Sequence, residues 1–434
     1  MDTIQKHFKS IEKVPVNEKP LDDDGRDGDE MDRISDMPNE ILCHILSFLP
    51  TKYAVATSIL STKWKNLFCF IPNLRLHLDD SLLLNQQSPS STNLISFMNF
   101  VNRLLNVTLS DVPSINAFCL ICQNLSDGLC ISNWVSAAIR LNAKRIDLRV
   151  RHLKNANALF DSLYGCKIVS LNLFLYFVDH NLECRFNLPN LKILSIQFMK
   201  YKESNVLLEG CPMLEYLLVY NCYCYPGDIL RICIPSLKVL KLVNDFYCLE
   251  GKIELEAPKL EELNYRGFLS NRYLAKNLKC LQIAQLDLDQ SITQYPFEFN
   301  EHASELIKVC SNVVKLFLSE KFIIMLQLLP HRLPRFPNLV TLAVKNMNSS
   351  GWELLPSLLE CAPNLKNLLI KDGFDMECFE NFKDSLPESL SINLSQRGEK
   401  GFLLEICREA RTIEPDKIHG ESCLIGKNKE SISQ

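Results

Sequence analysis

Leu148, Leu171, Leu194, Leu217, Leu240 and Leu263 follow one another at a constant spacing of 23 residues. Two positions after each stand Val150, Leu173, Ile196, Val219, Leu242 and Tyr265. Three positions before the leucines of the middle repeats come Leu191, Leu214, Leu237 and Leu260, and two before those come Pro189, Pro212, Pro235 and Pro258. Unrelated strands of an α/β domain do not easily produce equal spacing over six leucines. A fixed period in the twenties marks a unit that cannot bury its own apolar face, so that stacking of neighbours supplies the core. The period-two alternation places one strand in each unit, leucines inward. An α/β solenoid is predicted, with strands along a concave face and returning segments on the other.

The register then loosens. Leu278-Lys279-Cys280-Leu281-x-Ile283 comes early, and Val313-Val314-Lys315-Leu316-x-Leu318 follows a long insertion. Leu339-Val340-Thr341-Leu342-x-Val344 and Leu365-Lys366-Asn367-Leu368-x-Ile370 restore the pattern at a spacing of 26 residues. The expectation is roughly eight to ten repeats. Residues 71–145 read as an irregular first part of the repeat domain: Leu74, Leu76 and Leu78 alternate like a strand, 86–92 reads as a loop, and 95–105 and 131–141 read as helices.

Residues 31–70 have a different pattern. Pro38 suits a first helical turn, with its fixed φ and no N–H to satisfy. Ile41, Leu42, Ile45, Leu46 and Leu49 then form one broad apolar face. Pro50 ends that helix, Thr51 is placed to cap a second carrying Ala54, Val55, Ile59 and Leu60, and a third sets Trp64, Leu67 and Phe68 opposite Lys63 and Lys65. Three short helices bury little surface alone. By periodicity they read either as a cap on the neighbouring domain or as a unit that leans on a partner.

The order of residues is more specific. Met37-Pro38-x-Glu40-Ile41-Leu42-x-x-Ile45-Leu46-Ser47-Phe48-Leu49-Pro50, then Ala54-Val55-x-x-Ser58-x-Leu60-Ser61-x-x-Trp64-Lys65-x-Leu67, resembles an F-box of the kind found in plant F-box proteins with leucine-rich repeats. The L-x-x-L-x-L units look like leucine-rich repeats. The resemblance implies a three-helix F-box followed by a leucine-rich-repeat horseshoe. It also implies a substrate-recognition subunit of a Skp–cullin–F-box ubiquitin ligase, the F-box binding Skp (and through it cullin) and the repeats binding the protein to be ubiquitinated. Met37, Pro38, Ile41, Leu42, Ile45, Leu46, Leu49, Pro50 and Trp64 are then the Skp-binding residues. A repeat scaffold that binds Skp without delivering a substrate is the alternative. Residues 358–365 resemble the opening of the FBD-like domain that often closes such chains, and 386–390 echo its Pro-containing loop. Beyond Arg397 the resemblance fails, so 373–434 reads as a divergent end with an insecure last edge.

Composition limits other functions. A net charge of −4 gives no reason to expect nucleic acid or an anionic membrane as partner, and no apolar run reaches the length of a bilayer span. Residues 1–30, with Asp22-Asp23-Asp24, Asp27, Asp29 and Glu30, read as a disordered acidic tail, and Met31 as an alternative translation start. The 18 cysteines include Cys119-x-x-Cys122 and Cys222-x-Cys224, lone pairs without a second ligand cluster, so no metal and no structural disulfide are expected. Cys166, Cys211, Cys310 and Cys361 read as small buried hydrophobes. No nucleophile elbow, phosphate loop or zinc-protease motif occurs, and Asp287 and Asp289 read as a solvated strand edge; no catalysis or cofactor is expected. The cytoplasm, the nucleus or both are the expected compartments. The outward strand positions run Ile193, Ser195, Gln197; Tyr216, Leu218, Tyr220; Val239, Lys241, Val243; Glu262, Asn264, Arg266. Tyr216, Tyr220, Lys241, Glu262 and Arg266 are the candidate substrate-binding residues, a mixture suited to a protein partner.

Overall fold

This computed structural model describes residues 34, 36–83, 91–178, 185–245, 251–270, 272–288, 298–327, 333–345, 349–372, 374–386, 390–396 and 401–408. The tail 1–30, Met31, Asp289 and residues 411–434 lie outside them.

One strand per repeat builds a single sheet. It runs β1 (Arg75–Asp79), β2 (Ala117–Cys122), β3 (Arg145–Leu153), β4 (Ser170–Val178), β5 (Ile193–Gln197) and β6 (Tyr216–Tyr220). After β7 (Ile229–Cys233) and β9 (Lys252–Glu256), which leave the row, it continues through β8 (Val239–Asn244) and β10 (Glu262–Gly267). Past β11 (Arg272–Lys276) it takes in β12 (Ile283–Leu288), β13 (Lys315–Ser319), β14 (Thr341–Lys345) and β15 (Asn367–Lys371). β16 (Leu390–Gln396) and β17 (Gly401–Arg408) complete 14 strands among the described residues. All but the last two pair in parallel: ten of these twelve strands fall in the region read as eight to ten repeats, and β1 and β2 add two before it.

The buried column shows how the period becomes structure. Leu171, Leu194, Leu217, Leu240 and Leu263 stand side by side in register, each fully or almost fully buried. The prolines sit in the turn before each strand: Leu191, Leu214, Leu237 and Leu260 donate their N–H to the carbonyls of Leu188, Cys211, Ile234 and Ala257, 3.0–3.3 Å away. Proline thus occupies the second position of a β-turn, where its φ is already correct. Cys211 and Cys310 are fully buried at the first position of such turns, which Leu188, Ile234 and Ala257 hold in other repeats, so cysteine serves there as a buried apolar side chain. A backbone staircase links the repeats, with Glu215 bonding Lys192, Lys238 bonding Glu215 and Glu261 bonding Lys238, at 2.8–2.9 Å. On the same rungs the Glu215 carboxylate lies 2.9 Å from both Lys238 and Lys192. Those two ammonium groups, Lys238 first, hold its carboxyl down to about 2.

Register corrects the sequence reading at two strands. Leu148 pairs with Leu173, and the partner of Leu171 is Ile146. The first interval is therefore 25 residues, hidden because Ile146 and Leu148 both point inward and alternation alone cannot tell them apart. On β12 the inward residues are Ala284 and Leu286, while Leu281 takes the turn position that Leu260 holds in the preceding repeat.

The returning segments of the middle repeats form a second, three-stranded sheet in the order β7-β9-β11. Ile253, Leu255 and Ala275 of this sheet meet Leu242, Leu263 and Tyr265 of the main one across a shared core. Residues 71–145 are more regular than predicted. β1 and β2 join the parallel row, Leu76 pairing with Phe118 and Phe118 with Ile146. Repeats of 42 and 28 residues conceal this continuity in the sequence. The predicted helices appear at Ser91–Arg103 and Gly128–Arg140, with Trp134, Val135 and Ala138 buried.

The far end also departs from expectation. β17 lies antiparallel between β15 and β16, so residues beyond Arg397 do close the sheet. Trp352, Phe374, Phe379 and Phe382 pack there as an aromatic cluster, with ring centroids 5.5–6.1 Å apart. Cys224 is disulfide-bonded, against the expectation of no disulfide. The chain returns at Gly251 so close to it that a Cβ there would lie 2.7 Å from the Cys224 Sγ. Compartment arguments carry no information about which sulfurs a fold brings together.

Asp80 ties the first two repeats. It is 2% exposed, and its carboxylate accepts the N–H groups of Gln123, Asn124 and Leu125 at 2.8–2.9 Å. Asp80→Ala leaves three donors unmatched and is expected to cost roughly 3 kcal/mol or more, with Asp80→Asn losing less. Denaturant unfolding of both variants checks the order.

Candidate interaction surfaces

Two surfaces are candidates. The first is the N-terminal helical unit, made of α1 (Asn39–Ser47), α2 (Thr51–Ala56) and a tight 3-10 segment, Trp64–Phe70. By hydropathy α1 has one broad apolar face; the structure divides it. Leu42, Cys43 and Leu46 are buried against Trp64, Leu67 and Phe68, forming the unit's core. Met37, Ile41, Ile45 and Phe48 are exposed on the other side. Spacings of four and three residues put Ile41, Ile45 and Phe48 along one stripe.

The predicted partner-binding set is thus split. Met37, Pro38, Ile41, Ile45 and Pro50 lie at the surface, Leu49 is half-buried, and Leu42, Leu46 and Trp64 face inward. Leu42, Leu46 and Trp64 are corrected from contact residues to core, because three short helices have nothing else to pack around. Thr51 is also corrected: it is the first residue of its helix and caps nothing, and its hydroxyl accepts the N–H of His77 at 2.8 Å. That bond fastens the unit to β1. Phe48, Tyr53, Ile59, Leu60 and Phe70, absent from the predicted set, are 58–85% exposed. Phe48 continues the stripe of Ile41 and Ile45, and Ile59 and Leu60 fall by pattern with the second helix; hydropathy marks them as apolar without saying that they face outward.

The second surface is the open face of the main sheet. Tyr216, Val239 and Glu262 lie side by side in one row, and Tyr220, Val243 and Arg266 in the next but one. All five predicted residues therefore meet on three adjacent strands. The Lys241 ammonium lies 5.5 Å over the Tyr216 ring, and Glu262 accepts from Asn264 at 2.8 Å. The Tyr220 hydroxyl donates to Asp245 at 2.8 Å, and that bond to a carboxylate raises its pKa. Sequence reasoning missed the aromatic ridge beside them. Phe174, Tyr176, Phe198 and Tyr220 form a chain of rings 4.6–6.4 Å apart. Phe198 enters it from a left-handed backbone (φ 59), a conformation costly for a bulky residue and without any sequence signature. Toward β3 the face turns polar, Asp147 accepting from Arg149 and from Asn172.

No group of three or more potential metal ligands occurs among the described residues. Cys119 and Cys122 lie on opposite faces of β2, so one ion cannot bind both. Burial pushes the Cys119 thiol up to about 11.

Comparison with known proteins agrees with this division. Residues 34–75 match the F-box domain, and residues 131–287 match the repeats described as FBD-associated F-box protein At5g56370, LRR repeats. F-box/LRR-repeat protein At4g14103 of Arabidopsis thaliana is 32% identical over 358 residues, 78% of this chain and 91% of that one. The chain belongs to the F-box/LRR-repeat family. F-box/LRR-repeat protein At3g59200 of the same plant is 32% identical over 78% of this chain and 69% of its own. F-box/LRR-repeat protein At5g38396 is 27% identical over 90% and 86%. The F-box is thus the split-faced helical unit, and the repeats carry the ridge.

The split makes a prediction within α1. Leu46→Asp buries an unpaired carboxylate and is expected to unfold the F-box, costing several kcal/mol. Ile45→Asp, at 41% exposure, is expected to change stability by about 0.5 kcal/mol or less. Thermal unfolding of the two variants tests the assignment of faces.

Proposed function

We propose that this chain is the substrate-recognition subunit of a Skp–cullin–F-box ubiquitin ligase. The observation that carries the reading is the doubly apolar α1: after Leu42, Cys43 and Leu46 have filled the F-box core, Ile41, Ile45 and Phe48 still face solvent. A soluble protein exposing such a stripe offers it to a partner, and a helix presenting i, i+4, i+7 anchors fits another helical protein. Skp is the partner that membership of the family favours, and cullin follows through Skp. The bond from His77 to Thr51, at the start of α2, holds the F-box on the first repeat, so a substrate on the sheet would stand at a fixed position relative to the ligase.

The second half of the proposal puts the substrate on the open sheet face, at Tyr216, Tyr220, Lys241, Glu262 and Arg266 with the ridge of Phe174, Tyr176 and Phe198. Rigid aromatic rings beside charged groups are the composition of protein-binding hot spots. The chain itself supplies no chemistry in this reading; it positions. Thirteen described cysteines are free thiols against the disulfide-bonded Cys224, a balance that favours a reducing compartment, the cytoplasm, the nucleus or both.

Phe48→Asp combined with Ile59→Asp changes residues 74% and 85% exposed. Skp co-purification is expected to disappear while Tm stays within a few degrees; retained Skp binding overturns the F-box surface. Tyr220→Ala with Lys241→Ala is expected to keep Skp and cullin but to lose ubiquitin transfer to the client, identified by mass spectrometry with the proteasome blocked. A native chain that captures Skp without cullin or ubiquitinated client is instead a scaffold.

A further inference from the structure

Among the described residues, the second sheet ends at β11. β11 pairs with β9 alone among the described residues, in parallel from Arg272↔Lys252 to Lys276↔Glu256. Across its other side stands the helix Glu298–Val309, and between them lies a cleft of about 580 Å³. One edge donor is already matched: the N–H of Tyr273 donates to the Glu305 carboxylate at 3.4 Å. In a parallel ladder, residues alternate in the side to which both their N–H and C=O point. Tyr273 points into the cleft, so Ala275 does too, and its two backbone groups face the space beyond Glu305.

The charge of the cleft is one-sided. Among the described lining residues, Arg272, Lys276, Lys279 and Lys308 are exposed, against the single carboxylate of Glu305, in a chain whose net charge is −4. The two acidic groups nearest on β9 both have partners, Glu254 away from the cleft and Glu256 at its margin, through Asn277. Glu254 pairs with Arg231 at 3.3 Å, and Glu256 accepts from Asn277 at 2.8 Å. Leu274 stands between Arg272 and Lys276, 38% exposed, and offers one apolar contact on the same row.

An unpaired strand edge beside a basic helix flank is a template for one kind of ligand. We propose that this cleft takes an extended, acidic segment of a protein partner as an added strand alongside β11. Backbone bonds to Ala275 would fix its register, and Arg272, Lys276, Lys279 and Lys308 would select acidic side chains, main-chain pairing giving affinity and side chains specificity. The site lies on the returning sheet, across the core from the ridge of Phe174 and Tyr220. It therefore adds a second recognition surface that is independent of the substrate reading of the open face.

The test uses the full chain and fluorescence anisotropy with a short labelled peptide alternating Glu and Val. Its controls are a Lys–Val peptide and the acidic peptide N-methylated at alternate amides. The plain acidic peptide is expected to bind and both controls to fail. Lys276→Glu with Lys308→Glu, both exposed, is expected to weaken binding about tenfold or more at unchanged Tm. Undiminished binding by that variant, equal binding of the N-methylated peptide, or complete displacement by an RNA oligonucleotide of matching charge each overturns the proposal, the last by revealing a plain polyanion site. Should the double variant lose its fold, the three peptides compared on the native chain decide alone.

Discussion

Stacking is the constraint on which this protein depends. A single repeat contributes a strand of five to nine residues with a few inward side chains, far too little apolar surface to offset the entropy of ordering the unit. Leu194 is buried because Leu171 and Leu217 flank it in register, and each of those depends on its own neighbours. The Pro-containing turns and the backbone staircase through Lys192, Glu215 and Lys238 keep the rise constant, so that from Leu171 to Leu263 side chains 23 residues apart meet.

Such an array has two vulnerable ends, and the chain treats them differently. At the start, the F-box is fastened to β1 by Thr51, and Asp80 fastens the first repeat to the second. At the finish, β17 reverses direction and an aromatic cluster around Trp352 fills the space beneath. A reversed strand interrupts the parallel series and protects its edge. The F-box then acts as both cap and connector: one stripe of α1 is spent on its own core and the opposite stripe remains available. Its surface and the aromatic ridge stand on one continuous sheet, and such an arrangement can hold two proteins at a set separation.

Much of this was legible in the sequence. The repeats, their strands and their inward leucines follow from spacing and alternation, and the F-box from the order of residues between Met37 and Leu67. Legibility failed where two structures share one pattern. Ile146 and Leu148 are both inward, so counting leucines placed the first repeat two residues late. Ile41 and Leu42 are both apolar helical residues, so hydropathy could not say which belongs to the core. Phe198 joins the ridge through a backbone conformation that no pattern announces.

The sequence by itself determined the solenoid class, the one-strand unit and the presence of an F-box, because period and residue order are local properties that survive without coordinates. Only the tertiary structure decided that Leu42, Leu46 and Trp64 are core while Phe48 and Ile59 are surface. It alone brought Phe174, Tyr176, Phe198 and Tyr220 together, and set β11 beside Lys308. Those facts depend on which elements become neighbours, and burial, ring contacts and unpaired edges exist only between elements that the chain has already brought together.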